Sequence, residues 1–144
     1  MLKTGIKGRI ERTVTADLCA GAVGSGELDV FATPAMIALI EETCWKSVAP
    51  YLEPGEGTVG TALNVRHVAA TPVGLQVVCE TELTFVDRRR LVFDVKVFDP
   101  FGPIGEGSHE RFVIQYEKFM KKVDEKRGKP IVSPGPDSEA QRQS

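Results

Sequence analysis

The stretch FATPAMIALIEETCWKSVAPYL, residues 31–52, predicts one long and mostly apolar helix. Thr33 followed by Pro34 is a strong helix start, because a hydroxyl at the N-cap and a proline at the next position both favour it. Neither glycine nor a second proline follows before Pro50, so we expect the helix to run from Pro34 to about Val48. Its apolar residues continue around most of the cylinder, which is typical of a helix enclosed by the rest of the fold.

The chain on both sides of this helix is predicted to form strands. A first strand is expected at residues 9–16, followed by a glycine-rich segment, DLCAGAVGSGELD, that we interpret as a loop. After the helix, alternating apolar and polar residues predict four long strands joined by short turns. These strands are residues 58–68, 74–86, 90–98 and 106–117, and residues 118–126 are predicted as a short charged helix or a strand extension.

This order of elements predicts an α+β domain with a hot-dog fold, in which a curved antiparallel sheet wraps one long central helix. We assign residues 1–126 to that domain. Residues 127–144 are rich in proline, glycine and serine and are predicted to be a disordered tail. One sheet packed on one helix leaves strand edges unpaired, so we expect a homodimer.

Composition limits the classes of function. The chain has 144 residues and a net charge of −2, which gives no electrostatic bias toward nucleic acid or a membrane surface. The start, MLKTGIKGRIERTV, lacks the apolar core of a signal peptide, and no apolar run approaches the ~20 residues of a membrane span. Cys19, Cys44 and Cys79 are widely spaced and odd in number. They predict a reduced, cytoplasmic protein without a disulfide framework or metal site.

Two adjacent carboxylates, Glu41 and Glu42, lie near the middle of the predicted helix. Helical spacing gives both of them apolar neighbours on their own face, so we expect at least one to lie beside apolar side chains. Burial raises the pKa of a carboxyl group and makes it a better general base near neutral pH. The alternative is that both residues line a solvent-facing edge of the helix. Periodicity does not choose between the two.

His67 is one of two histidines and lies on the first strand after the helix. Strict alternation places it on the apolar face, together with Val59, Thr61, Leu63 and Val65, and that face is expected to cover the helix. A core histidine bonded to a backbone carbonyl is the plainer interpretation. An imidazole facing a helix carboxylate is also an acid/base pair, which makes a catalytic role an equal alternative.

Three further residues have two interpretations each. Thr33 caps the helix, but the first turn of a helix also carries free N–H groups that polarise a carbonyl. It lies eight residues before Glu41, about 12 Å of helix rise, so the two would approach a substrate from different directions. Gly60 marks either a bulge or a close approach of the backbone to a ligand. Arg111 binds a phosphate or carboxylate of a ligand, or pairs with a carboxylate of the chain.

Two long runs carry a resemblance to a known family. FATPAMIALIEETCWKSVAPYLEPGEGTVGTALNVRHVAATPVGLQV, residues 31–77, resembles the corresponding run of the fluoroacetyl-CoA thioesterases and their relatives, and GSHERFVIQYEKF, residues 107–119, resembles their last strand. The resemblance covers roughly residues 30–122. It implies a hot-dog-fold hydrolase that cleaves the thioester of a small acyl-CoA to a free acid and CoA, with no metal or redox cofactor.

The resemblance also implies roles for individual residues. The family's catalytic residues fall on Thr33, Glu41 and His67, and its substrate-binding residues fall on Gly60, beside the thioester, and Arg111. This selects Glu41 over Glu42. One segment departs from the family, because the lid before the threonine reads CAGAVGSGELDV and has no aromatic residue before Phe31.

Two other functions are compatible with the same fold. The first is a hot-dog enoyl-CoA hydratase or dehydratase, which a hydration assay separates from thiol release. The second is a non-catalytic protein that binds acyl-CoA or another small ligand, which would bind CoA esters without releasing thiol.

Overall fold

A computed structural model of the chain describes residues 2–129 and 131. Most of the predicted tail, residues 130 and 132–144, lies outside the described residues. The strands are β1 (Lys7–Thr13), β2 (Glu56–His67), β3 (Gln76–Asp87), β4 (Arg90–Asp99) and β5 (Gly102–Gln115). The helices are α1 (Ala20–Val23), α2 (Thr33–Val48) and α3 (Tyr116–Asp124), with 3-10 turns at Ala16–Leu18 and Ala49–Tyr51.

The predicted α+β architecture is confirmed. The five strands form an antiparallel sheet in the order β1-β3-β4-β5-β2, and α2 packs on it. The segment 118–126, predicted as a short charged helix or a strand extension, is largely helical. The segment interpreted wholly as a loop contains a 3-10 turn and the single turn α1, so that prediction is wrong in part. Ala20 and Ala22 are good helix formers, and Gly24 ends the turn in the left-handed conformation.

The core lies between one face of α2 and the inner face of the sheet. The sheet contributes alternating buried residues, as its period-two pattern predicts. The buried apolar residues of these two faces are Met36, Leu39, Ile40, Cys44 and Val48 from α2, and Val77, Cys79, Leu83, Leu91, Phe93, Val95 and Val97 from β3 and β4. The opposite side of α2 is not enclosed within the chain, since Ala38 is exposed and Trp45 is 42% exposed.

A β-bulge divides β2 into two halves. The pairing of β2 with β5 shifts between Gly60 and Ala62, which makes Thr61 the extra residue. Gly60 is paired with Arg111, and directly paired residues of an antiparallel ladder point to the same face. Gly60 and His67 therefore both face α2, although they are an odd number of residues apart.

The same bulge corrects the predicted faces of this strand. Strict alternation put Val59 and Thr61 beside His67, and this is wrong for both. Thr61 turns outward, where its hydroxyl donates to the Glu110 carboxylate at 2.8 Å. A second register shift, between Leu83 and Phe85 in β3, likewise turns Phe85 outward to 45% exposure.

Three other observations concern the whole fold. All three cysteines are free and buried. Burial raises the pKa of the Cys79 thiol to about 11, which keeps it protonated at neutral pH. No helix within the described residues is long and apolar enough to cross a membrane.

Candidate active site

The first residue of α2 pairs with the last residue of β2. The hydroxyl oxygen of Thr33 lies 2.8 Å from Nδ1 of His67. Thr33 was predicted to be the N-cap, and this is wrong: the N-cap is Ala32, and within the described residues no side chain caps this helix. Because Thr33 is the first helical residue and its hydroxyl does not cap the helix, that hydroxyl is free to contact His67 on β2.

His67 is held in a partly apolar environment. Its ring meets Phe31 edge to face, with 6.3 Å between the ring centroids. Burial lowers the pKa of His67 below its ordinary value of 6.5, and the backbone of Ala69 offsets part of this effect. The imidazole is therefore neutral near pH 7 and able to accept a proton. Its Nε2 atom is buried and has no hydrogen-bond partner within the described part of the chain.

A cavity of about 310 Å³ opens beside this pair. Thr33 and His67 both line it, so their polar atoms lie where a small molecule can reach them. Its other lining residues come from the segment before α2 and from the loop after β2, namely Ala20, Ser25, Val30, Phe31, Ala32, Val68, Ala69 and Ala70. Apart from Phe31, the lining side chains are small, and the cavity can therefore hold a compact group.

Glu41 lies in a second cluster, on the flank of α2 that faces the first half of β2. Its Oε2 atom is 3.4 Å from Nη1 of Arg111 and 4.0 Å from Nε2 of His109. The side chain of Glu41 is 43% exposed, so for this residue the alternative of a solvent-facing helix edge holds in place of an apolar environment. The reason is its place beside β2, the edge strand, where the sheet ends.

Gly60 lies directly against the Glu41 carboxylate. A Cβ atom on Gly60 would lie 2.6 Å from Oε2 of Glu41 and 3.1 Å from Cε1 of His109. No real Cβ tolerates the shorter of these contacts, so this position requires glycine as long as Glu41 stays where it is. The bulge interpretation of Gly60 is confirmed, because the bulge begins directly after it, whereas an approach of its backbone to a ligand stays a prediction.

Glu42 has a different role from its neighbour. Its carboxylate accepts hydrogen bonds from Arg12 of β1 at 3.0 Å and from Lys46, one turn later in α2, at 2.5 Å. The hydrogen bond from Arg12 is the largest cause that lowers the pKa of Glu42, and that from Lys46 follows. Glu42 is a carboxylate tied into surface ion pairs, whereas Glu41 faces the edge strand.

Arg111 is buried and pairs with groups of the chain. Its side chain is 7% exposed. Its Nε and Nη2 atoms donate to the hydroxyl and carbonyl of Thr58 at 2.8 and 3.0 Å, and Nη1 points to Glu41. Sequence reasoning missed His109, which is 2% exposed and lies two residues earlier on the same face of β5. In the sequence, His109 and Arg111 are two residues apart on one predicted strand and so share a face, and this spacing could have identified His109.

The five predicted site residues thus form two groups. Thr33 and His67 make one, and Glu41, Gly60 and Arg111 make the other. From Gly60 to His67 the strand advances about 20 Å, at ~3.3 Å per residue, so one chain does not bring all five residues to one point. Within the described residues, no set of three or more His, Cys, Asp or Glu side chains is arranged to hold a metal ion.

Comparison with known proteins points to one family. The model of the fluoroacetyl-CoA-specific thioesterase family matches residues 14–117. The fluoroacetyl-CoA thioesterase of Streptantibioticus cattleyicolor is 52% identical over 98 residues, which are 68% of this chain and 70% of that protein. A solved structure of the fluoroacetyl-CoA thioesterase FlK is 40% identical, with a TM-score of 0.83 over 90% of this chain and 99% of FlK.

A more distant structure supports the fold alone. The hot-dog-like protein from Thermanaerovibrio acidaminovorans is 22% identical, with a TM-score of 0.81 over 90% of this chain and 96% of the other. The predicted hot-dog fold and the family resemblance are both confirmed.

Proposed function

The chain belongs to the fluoroacetyl-CoA-specific thioesterase family, and from this we infer that it hydrolyses the thioester of a small acyl-CoA to a free acid and CoA. The structural observation that carries the inference is the 2.8 Å contact between the Thr33 hydroxyl and Nδ1 of His67 beside a cavity. A hydroxyl within hydrogen-bond reach of a neutral imidazole is an arrangement typical of acyl-transfer sites.

We propose that Thr33, Glu41 and His67 are the catalytic residues. The Glu41 carboxylate takes a proton from the attacking water, whose oxygen bonds to the thioester carbon. The Thr33 hydroxyl orients that water or the carbonyl. The carbon–sulfur bond then breaks, and the proton taken up by Glu41 passes through His67 to the departing thiolate of CoA, which regenerates the Glu41 carboxylate and the neutral imidazole. Proton count and charge balance, and the products are the free acid and the CoA thiol.

A variant of this route has Thr33 as the nucleophile. His67 would take the hydroxyl proton while the Thr33 oxygen bonds to the thioester carbon; the carbon–sulfur bond then breaks and His67 gives the proton to the CoA thiolate. Water finally hydrolyses the acyl-threonine, which releases the acid and restores the hydroxyl. The lowered pKa of His67 favours the neutral ring that this step needs. Rapid acid quenching followed by mass spectrometry decides between the routes: an acyl group on the peptide that contains Thr33 supports the covalent one.

Gly60 and Arg111 complete the proposal as substrate-binding residues. Gly60 would lie by the thioester, with its backbone donating to the thioester oxygen. Arg111 would steady the CoA portion at its thioester end, beside Glu41, because its guanidinium is bonded to Thr58, His109 and Glu41 within the chain. Arg111→Lys should then change KM for CoA esters and for acyl-pantetheine esters alike, and a change for CoA esters alone would contradict this position.

We further propose that the enzyme is a homodimer whose active sites are shared between two chains. The argument is the separation of the two groups along β2, together with the position of β2 at the edge of the sheet. Antiparallel pairing of two β2 edges near Leu63 and Asn64 would set the Gly60 half of one strand beside the His67 half of the other. Each Glu41 would then face the Thr33 and His67 of the partner.

Mixing two inactive variants tests this arrangement directly. Glu41→Gln and His67→Ala chains are co-refolded in equal amounts and compared with each variant alone. If sites are shared, half the dimers are mixed and each regains one of two sites, so about a quarter of wild-type activity returns. No recovery, with mixed dimers present by native mass spectrometry, would contradict the shared site. A monomer by light scattering would contradict the dimer itself.

Every step of this mechanism is assigned to side chains, backbone and water. We therefore propose that activity needs no added metal or redox cofactor and survives dialysis against EDTA. The three reduced cysteines support a cytoplasmic location, which fractionation of the source cells tests. A panel of short, branched, aromatic and halogenated acyl-CoAs, followed by thiol release, identifies the acyl group.

A further inference from the structure

We propose that His109 is a positioning residue that holds the Glu41 carboxylate in place through Arg111 and through the β2 bulge. This inference rests on the proposed role of Glu41 and adds a residue to which that proposal gives no part. His109 lies on β5 and is 2% exposed, with its ring stacked against Phe93 at a centroid distance of 6.5 Å.

The hydrogen bonds of His109 fix its tautomer. Its Nδ1 atom lies 2.8 Å from the backbone carbonyl of Ala62, which only accepts, so Nδ1 carries the proton. Its Nε2 atom lies 3.1 Å from Nη1 of Arg111, which only donates, so Nε2 is the acceptor. Both contacts require the same neutral ring. Burial, the largest cause, and the charge of Arg111 lower the pKa of His109 in agreement with this geometry.

The His109 ring contacts both groups that position the Glu41 carboxylate, namely the bulged segment of β2 and the Arg111 guanidinium. On one side it bonds the carbonyl of Ala62, the residue that follows the bulge, and so fixes the strand segment that brings Gly60 under the carboxylate. On the other side it accepts from Nη1 of Arg111, the same nitrogen that lies 3.4 Å from Oε2 of Glu41. With Thr58 holding the other two nitrogens, the guanidinium has one orientation toward the carboxylate.

Glu41 itself has no comparable support from the helix that carries it. Its side chain is 43% exposed, and an exposed glutamate otherwise samples several rotamers. The cluster restricts that freedom, so the carboxylate is held before substrate arrives. Preorganisation of this kind affects turnover more than binding, since a displacement of about 1 Å at a reacting group lowers rates by up to ~10²-fold.

Two conservative substitutions separate the two bonds. His109→Asn places an amide where Nδ1 lies and keeps the bond to Ala62, whereas His109→Gln reaches the position of Nε2 and keeps an acceptor for Arg111. We expect His109→Asn to lower kcat about 10-fold or more with KM little changed, and His109→Gln to retain more of it. Val77→Ala, a buried change in β3, three strands away from β2, controls for loss of stability alone.

A double-mutant cycle with Glu41→Gln is the decisive measurement. If His109 acts through Glu41, His109→Asn has little further effect on single-turnover rates in the Glu41→Gln background. Independent, multiplicative losses overturn the positioning role while leaving the proposed function intact. Full activity in Glu41→Gln alone would instead overturn the proposed function. Equal losses in His109→Asn and in Val77→Ala of matched stability would reduce His109 to a core residue.

Discussion

Replacing Gly60 with alanine moves the Glu41 carboxylate without removing any polar group. The added Cβ would lie 2.6 Å from Oε2 of Glu41, whereas ordinary contact begins at 3.4 Å, so the carboxylate must retreat by about 0.8 Å. The atom that must move furthest is the end of a flexible side chain, the buried Cε1 of His109 at 3.1 Å must give by a few tenths of an ångström, and Gly60 has no left-handed backbone conformation that alanine would strain. Stability should therefore change by less than about 1 kcal/mol.

The effect on catalysis should be much larger than the effect on folding. A displacement of this size at a general base lowers kcat by about 10- to 10²-fold. CoA release followed with a thiol reagent measures it, with little background because the three cysteines are buried. Gly57→Ala is a harsher steric control in the same strand, since a Cβ there would clash with the Tyr116 hydroxyl and would not meet Glu41, so it should lose stability without the same loss of kcat. A Gly60→Ala enzyme with wild-type kcat refutes the reasoning that the position of Glu41 matters.

Three further outcomes follow from the geometry. Thr33→Val should lower kcat by ~10²-fold or more and should cost about 1 kcal/mol of stability through the lost hydrogen bond to His67, whereas Thr33→Ser should keep both; wild-type kcat in Thr33→Val would contradict a catalytic role for this hydroxyl. Glu42→Gln should lower the free energy of unfolding by up to about 1 kcal/mol through loss of its partly exposed ion pairs, with kcat unchanged. A kcat loss as large as that of Glu41→Gln would contradict the different roles of the two carboxylates. Burial lowers the pKa values of His67 and His109 below 6.5, so the unfolded chain binds more protons than the folded chain just below that pH. The free energy of unfolding should therefore fall on acidification from pH 7, by at most about 1.4 kcal/mol per pH unit for the buried His109. Urea titrations that show a rise instead would refute this.

The sequence was sufficient for the elements and their layers. Thr33-Pro34 and the absence of glycine before Pro50 define α2, because local backbone preferences decide helix ends. Period-two alternation located four of the five strands to within a few residues, because one face of each is buried. Helix ends and strand alternation depend on residues that are close together in the chain, and a single sequence shows those residues directly.

The rest depended on contacts between distant segments. Alternation could not reveal the bulge at Thr61, which exists only in the register between β2 and β5. Propensity assigned Thr33 to a cap, but a hydrogen bond to a residue 34 positions later uses its hydroxyl instead. Periodicity left Glu41 and Glu42 equivalent, and the difference between them comes from what each meets, a β1 arginine for Glu42 and the edge strand for Glu41.

The bulge makes the length of β2 part of the site. Gly60 and His67 are separated by seven positions, an odd number, and only the extra residue lets both face the helix. Deleting Thr61 would leave every candidate catalytic side chain in the chain, yet would turn one half of the strand over. For descendants of this sequence, a one-residue insertion or deletion here would be more damaging than most substitutions. An odd interval between that glycine and that histidine is therefore a feature by which working relatives can be recognised.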